Sequence, residues 1–129
     1  GRQWLVQVVG GFPHLVADSA VLPSVATAGA ASFRGVNPRT AVGITARGRR
    51  LLLMVVDGRR PGWSAGTTTA ATAEWLRDLG AHDALNLDGG GSSALVVRDP
   101  GTPDGVRVVN RPSDATGERP VANALVVQA

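Results

Sequence analysis

The sequence predicts an α+β domain that is mostly β, with about seven strands in a mixed or antiparallel sheet and one main helix over residues 68–79. Three observations carry this. Apolar runs of strand length recur between clusters of Gly, Pro, Asn and Asp. One stretch alone has a helical period, with Ala70, Ala73, Leu76 and Leu79 on one stripe. The chain has 129 residues, which bounds it to one domain with a real but small core.

Taken in order, Trp4–Val9 reads as a strand ended by Gly10 and Gly11, with His14–Val16 as a short partner across that turn. From Ala17 to Pro38 no period holds, because Pro23, Gly29, Gly35 and Pro38 interrupt it. Thr40–Thr45 alternates as a strand should, and Ala46–Arg49 supplies a hairpin turn. Arg50–Val56 is a continuous apolar run, the pattern of a strand buried on both faces. Thr68 is the expected N-cap of the helix and Gly80 its C-cap. Strands follow at Ala84–Leu87, Ala94–Val97, Val106–Val109 and Val121–Val127, the last two separated by a polar loop. Trp4 and Trp75 are expected in the core, and Trp63 in the core or at a rim, with a sugar-stacking platform as the less favoured reading.

One stretch stands apart. Asn86-Leu87-Asp88-Gly89-Gly90-Gly91-Ser92-Ser93 joins two apolar runs. Consecutive glycines let a backbone approach a ligand or another chain segment. A carboxylate and two hydroxyls then stand beside bare N–H groups, which suits an oxygen-rich, anionic substrate. The same letters also spell an ordinary turn. The loop is neither a P-loop, since no Gly-Lys-Ser/Thr follows, nor a GxGxxG dinucleotide loop, since no helix opens after it.

Composition excludes several classes. All 13 basic residues are Arg, and the net charge is only +3. The pI of 11.3 reflects the lack of Lys, Tyr and Cys to buffer the alkaline range, so it does not signal a nucleic-acid partner. No apolar run is long enough to span a membrane. Without Cys, and with His14 and His82 isolated, the ligands of a zinc site are missing. Asp and Asn near Asp88 have the oxygen chemistry for calcium but not the spacing, so no cofactor is expected. Neither Ser92 nor Ser93 sits in a GxSxG elbow.

Several strands end in similar polar loops, at Asn37–Thr40, Asp57–Arg59, Asp88 and Asn110–Arg119. If these share one rim of a sheet, they bring together Asp57 and Asp88 with Arg39 and Arg119. Two carboxylates in different environments suit acid–base or nucleophilic chemistry at an acetal, and arginine forks suit a phosphodiester.

Five blocks in order also resemble a known family. They are Val9–Val16, Pro38–Ile44, Val55–Arg59 with Gly62–Gly66, Ala84–Ser93, and Glu118–Ala124. Together they resemble the phosphodiester glycosidases, bacterial exopolysaccharide-related domains similar to N-acetylglucosamine-1-phosphodiester α-N-acetylglucosaminidase. The resemblance implies hydrolysis of a sugar-1-phosphodiester at its glycosidic bond, in a secreted or cell-envelope setting. It implies that residues 1–129 are the C-terminal part of a longer domain, since the family's Asn-Gly-Gly-Phe-Phe-like N-terminal portion has no counterpart here. A separate N-terminal segment or an oligomer partner would complete that domain.

On this reading Asp88 is the nucleophile or general base. Asp57 is the partner acid, or else orients a ligand-binding Arg. Arg39 and Arg119 neutralise phosphate. The N–H groups of Gly89, Gly90 and Gly91 and the hydroxyls of Ser92 and Ser93 bind phosphate or sugar oxygens, with Thr40, Asn86 and Asn110 in support. The alternative is a non-catalytic module that binds an anionic glycan.

Overall fold

The computed structural model describes residues 8–127. Its elements are β1 (His14–Ala17), β2 (Ala20–Val21), α1 (Ala31–Arg34), β3 (Arg39–Thr45), β4 (Leu51–Val56), α2 (Thr69–Asp78), β5 (Ala81–Asn86), β6 (Val96–Arg98) and β7 (Val106–Val108). Five strands form one sheet in the order β2-β1-β5-β3-β4, and every neighbouring pair is antiparallel. The β6–β7 pair forms a separate two-stranded sheet, also antiparallel. The predicted class holds: seven strands in two antiparallel sheets, with one main helix, among the described residues.

The helix is where it was expected and is held by more than propensity. The Thr68 hydroxyl accepts the Ala71 N–H at 3.1 Å, closing the first turn. The Thr run would be poor helix material if its hydroxyls were left dry. Here Thr69 donates to the Val25 carbonyl at 3.0 Å and Thr72 to the Thr68 carbonyl at 2.7 Å, so both hydroxyls are buried and satisfied. The buried face is Thr69, Thr72, Ala73 and Leu76, rotated from the predicted stripe, and Leu79 is 57% exposed. Trp75 is on the outer side, half exposed, and not in the core.

Helix α2 packs on β5, β1 and β3. Leu15, Val16, Val25, Ala41, Ala73, Leu76, Ala81 and Ala84 make the core between them. Only one face of the sheet is covered in this way. The run 50–56 is therefore not buried on both faces: β4 is the last strand of the sheet, and Leu51 and Leu53 are 48% and 44% exposed.

Other parts of the chain also differ from expectation or lie outside the described residues. Among the described residues, β1 joins β2 on one side and β5 on the other. Residues 4–7 of the expected first strand, Trp4 included, lie outside the described residues, and Val8 and Val9 are not in a strand. The segment 17–38 is not one long loop, because β2, a 3-10 turn at Pro23–Ala26 and α1 break it up, and Val25 of that turn plugs into the core. Residues 121–127 are exposed and irregular, with no described strand pairing to them.

The position of the helix face is testable. Leu76→Ala should cost about 2–5 kcal/mol, the range for emptying a packed leucine site. Leu79→Ala should stay within about 0.5 kcal/mol. Urea denaturation midpoints of the two variants distinguish the observed face from the predicted stripe.

Candidate active site

Strand register decides what meets what. Arg39 opposes Val56, and Ala41 opposes Asn86, so the start of β3 lies beside the ends of β4 and β5. The loops that carry Pro38, Asp57 and Asp88 therefore share one rim of the sheet, as the sequence suggested. The Leu87 N–H continues the ladder onto the Thr40 carbonyl at 2.8 Å, and the Gly90 N–H reaches the Pro38 carbonyl at 3.1 Å.

The glycines are there for close approach. A Cβ at Gly89 would stand 2.8 Å from the Pro38 carbonyl oxygen. A Cβ at Gly91 would collide with the Asp114 carboxylate and the Arg119 guanidinium. Gly90–Ser92 forms a single 3-10 turn, with Gly90 at φ +63°. Ser93 is buried; its hydroxyl accepts from Thr40 at 3.1 Å and its carbonyl accepts from Asn110 at 2.9 Å. Asp88 is exposed, and one carboxylate oxygen accepts the Gly89 N–H at 3.0 Å. Among the described residues, its other oxygen has no hydrogen-bond partner.

Asp57 has a different character. One carboxylate oxygen accepts the Asn110 amide at 3.0 Å and the Arg111 N–H at 2.9 Å; the other accepts the Trp63 indole N–H at 2.8 Å. Burial alone would raise its pKa. The donors from Trp63, the Arg111 backbone and Asn110, with the Arg111 charge, outweigh that and hold it below the usual carboxylate value. Three donors thus take up both of its oxygens, an acceptor's arrangement and not the one a partner acid would need. Its other expected role, placing an arginine, fits: Asp57 fixes the Arg111 backbone, and the Arg111 guanidinium lies over the Trp63 ring, 3.6 Å from its centroid.

Arg39 is also corrected. It is 2% exposed, and its guanidinium donates to the carbonyls of Thr67, Phe33 and Gly35 at 3.1, 2.6 and 2.6 Å. The Phe33 ring lies beneath it, 5.3 Å away. Burial, and then the Arg59 charge, push its pKa down. It braces the 33–37 turn instead of facing phosphate. Asn86 is likewise structural: its amide N–H₂ donates to the Phe12 and Leu87 carbonyls, both at 2.8 Å. Asn110 ties the Leu95 N–H, the Ser93 carbonyl and Asp57 into one knot.

Arg119 does reach the glycine loop. It pairs with Asp114 through two hydrogen bonds, at 2.9 and 3.2 Å. Its pKa is raised by that hydrogen bond, by the Asp114 charge and, more weakly, by the Asp88 charge. The Asp114 pKa is lowered by the Arg119 hydrogen bond, opposed by desolvation, and further by the Arg119, Arg59 and Arg60 charges. Arg59 was not among the expected site residues, although it stands two residues from Asp57. Its guanidinium borders Gly90 and donates to Asn37 Oδ1 at 2.6 Å, and its backbone sits at φ +53°. Asp114 was missed for a similar reason: its partner Arg119 is five residues away in a loop with no period to read. Arg111 was missed because its role depends on a contact with distant Trp63.

His14 opens β1 opposite Leu85. His82 is in β5, not at the helix end, and its Nδ1 lies 2.8 Å from Asp83. Among the described residues, no three His, Cys, Asp or Glu side chains converge as a metal site would need.

The arrangement is an exposed carboxylate on a glycine loop approached by Arg59 and Arg119; the Gly89 and Gly90 N–H groups, expected to bind the ligand, are instead taken by the Asp88 carboxylate and the Pro38 carbonyl. The family model for phosphodiester glycosidases matches residues 2–128, and the chain belongs to that family. Among solved structures, it is similar to zebrafish N-acetylglucosamine-1-phosphodiester α-N-acetylglucosaminidase, in a catalytic domain auto-inhibited by its pro-peptide, at 27% identity and TM-score 0.61 over 81% of this chain. It is also similar to a Burkholderia pseudomallei protein described as exported, at 49% identity and TM-score 0.56 over 65% of this chain. A hypothetical protein from Synechocystis matches at 30% identity and TM-score 0.54 over 66% of this chain. This chain spans only 34%, 14% and 16% of those three chains, respectively. No curated protein matches the sequence. The family and the zebrafish neighbour are glycosidases. Among the described residues no helix is long and apolar enough to cross a membrane.

The Asp57 clamp has a pH signature. Its pKa is lower folded than unfolded, so its stabilisation is present above the unfolded value and is lost as pH falls through the folded one. Asp57→Asn should be less stable than the wild type at pH 7, and the gap should narrow below about pH 4, the ordinary range for Asp. Urea midpoints of both proteins across pH 2–7 check this, because the other carboxylates are common to both.

Proposed function

We propose that the protein is a hydrolase that cleaves the glycosidic bond of a sugar-1-phosphodiester in a cell-surface or exopolysaccharide glycan. Family membership supports the reaction class. The observation that carries the assignment is the exposed Asp88 carboxylate, held by the Gly89 N–H on a glycine loop that Arg59 and Arg119 approach.

The chemistry needs only one reactive carboxylate. The bond from the anomeric carbon to the phosphate oxygen breaks, and its electron pair leaves with the phosphate. The leaving group is a phosphomonoester dianion, whose conjugate acid has a pKa of about 6. Such a group departs near neutral pH without a proton from the enzyme, so the loss of Asp57 as an acid removes no required step. Asp88 acts at the anomeric carbon, either directly or by taking a proton from the attacking water. The growing charge on phosphate is met by Arg59 and Arg119. A separate N-terminal segment or an oligomer partner completes the pocket around Asp88, and the setting is secreted or cell-envelope; the exported neighbour supports the latter.

A second reading, a binding module for an anionic glycan, is favoured by one observation: all of Asp57's oxygens are committed to structural donors. Calorimetry that shows saturable binding of a sugar-1-phosphodiester, with no sugar released, would establish it. On the leading reading sugar is released, and Asp88→Asn lowers the rate about 10²–10⁴-fold, the usual worth of a positioned acid–base group. Full activity in Asp88→Asn would remove Asp88 from the chemistry.

A further inference from the structure

We infer that the outer edge of β4 is an interface for a second copy of this chain, whose own β4 pairs with it antiparallel about a twofold axis at Leu53. This interface is independent of the reaction proposed above.

The five-stranded sheet has two unlike edges. At one end β2 is only two residues long, Ala20–Val21, and offers little ladder. At the other end β4 is six residues long, and its register with β3 runs unbroken from Leu51 to Val56. Among the described residues, no strand lies on its outer side. Soluble proteins blunt such edges with a charge, a proline, a bulge or shortness. Leu51-Leu52-Leu53-Met54-Val55-Val56 has none of the four.

Two hydrogen bonds fix which backbone groups face outward. The Thr45 N–H donates to the Arg50 carbonyl at 3.0 Å, so Arg50 turns its backbone toward β3. Across β3, the Leu87 N–H donates to the Thr40 carbonyl, so Thr40 turns toward β5 and away from its other neighbour, Val55. Antiparallel pairs alternate between bonded and non-bonded. Both bonds therefore commit Leu52, Met54 and Val56 to β3 and leave the N–H and C=O groups of Leu51, Leu53 and Val55 pointing outward. The side chains of these three lie on the sheet face that α2 does not cover, since Met54 of the alternate set packs on the core.

This pattern selects one register. Outward residues must oppose outward residues, and only one antiparallel register uses all three on both copies. It sets Leu53 against the partner's Leu53, and Leu51 against the partner's Val55. Every directly opposed pair on that face is then apolar, and the exposed Leu51 and Leu53 gain neighbours. The same register sets Asp57, which directly follows β4, opposite the partner's Arg49, so unlike charges meet at both ends. A twofold pairing consumes both β4 edges and closes on itself.

Sedimentation velocity of the unmodified chain across the micromolar range should show a monomer–dimer equilibrium. Amide exchange at Leu51, Leu53 and Val55 should slow as concentration rises. The chain has no cysteine, so single thiols report the register. Under mild oxidation Leu53→Cys should give a disulfide-linked dimer, because the two copies of position 53 oppose each other. Leu51→Cys should not, because its two copies stand about 13 Å apart along the strands. Leu53→Lys sets two ammonium groups face to face and should weaken dimerisation about tenfold or more. A monomer at every concentration, open-ended polymers, or a disulfide from Leu51→Cys in place of Leu53→Cys overturns the interface. So does protection of the three amides that ignores concentration, which would mean that the chain covers its own edge. Sedimentation and exchange use the unmodified protein, so they decide the matter where a variant does not fold.

Discussion

The rim depends on one carboxylate. Asp57 receives hydrogen bonds from Trp63, Asn110 and Arg111, which belong to two different loops, while Asp57 itself directly follows β4. Asn110 extends the tie to Ser93 and Leu95, the exit of the glycine loop. Without this node, the Trp63 and Asn110 loops would lose their shared tie to the end of β4. Each bond goes to a charged acceptor, which makes it stronger than a neutral one. The charge is what the node needs, and it is why Asp57 is unsuited to giving up a proton.

The division of labour among similar residues follows from burial. Arg39, Arg59 and Arg119 look alike in the sequence. Arg39 starts β3 and is drawn beneath the 33–37 turn, where backbone carbonyls take its donors. Arg59 and Arg119 sit in loops and keep their heads near the glycines. The same contrast separates Asp57 from Asp88: one is ringed by donors, and the other holds a single N–H and stays exposed.

Much of the fold was legible because it rests on local signals. The helix start at Thr68, the β3–β4 hairpin and the strand before Asp88 each have a cap, a turn or an alternation in the sequence. The convergence of the loops was legible too, since strand ends on one rim follow from antiparallel pairing. What was not legible depends on long-range contacts. The 50–56 run looks doubly buried because its composition cannot report that α2 covers a single face. The pairing of β1 with β5 joins residues some seventy positions apart. Arg39's inward turn, and the stacking of Arg111 on Trp63, have no spacing that would announce them.

The cationic side of this rim is built from arginine alone, because the chain has no lysine. Guanidinium groups keep their charge across the whole range in which proteins work. The attraction that Arg59 and Arg119 exert on an anion is thus a constant of the site. The titrating partners are the ligand and the nearby carboxylates. A bound phosphomonoester gains its second charge near pH 6, so product is retained more tightly in alkaline surroundings and let go more readily in acidic ones, with the protein's own arginines unchanged.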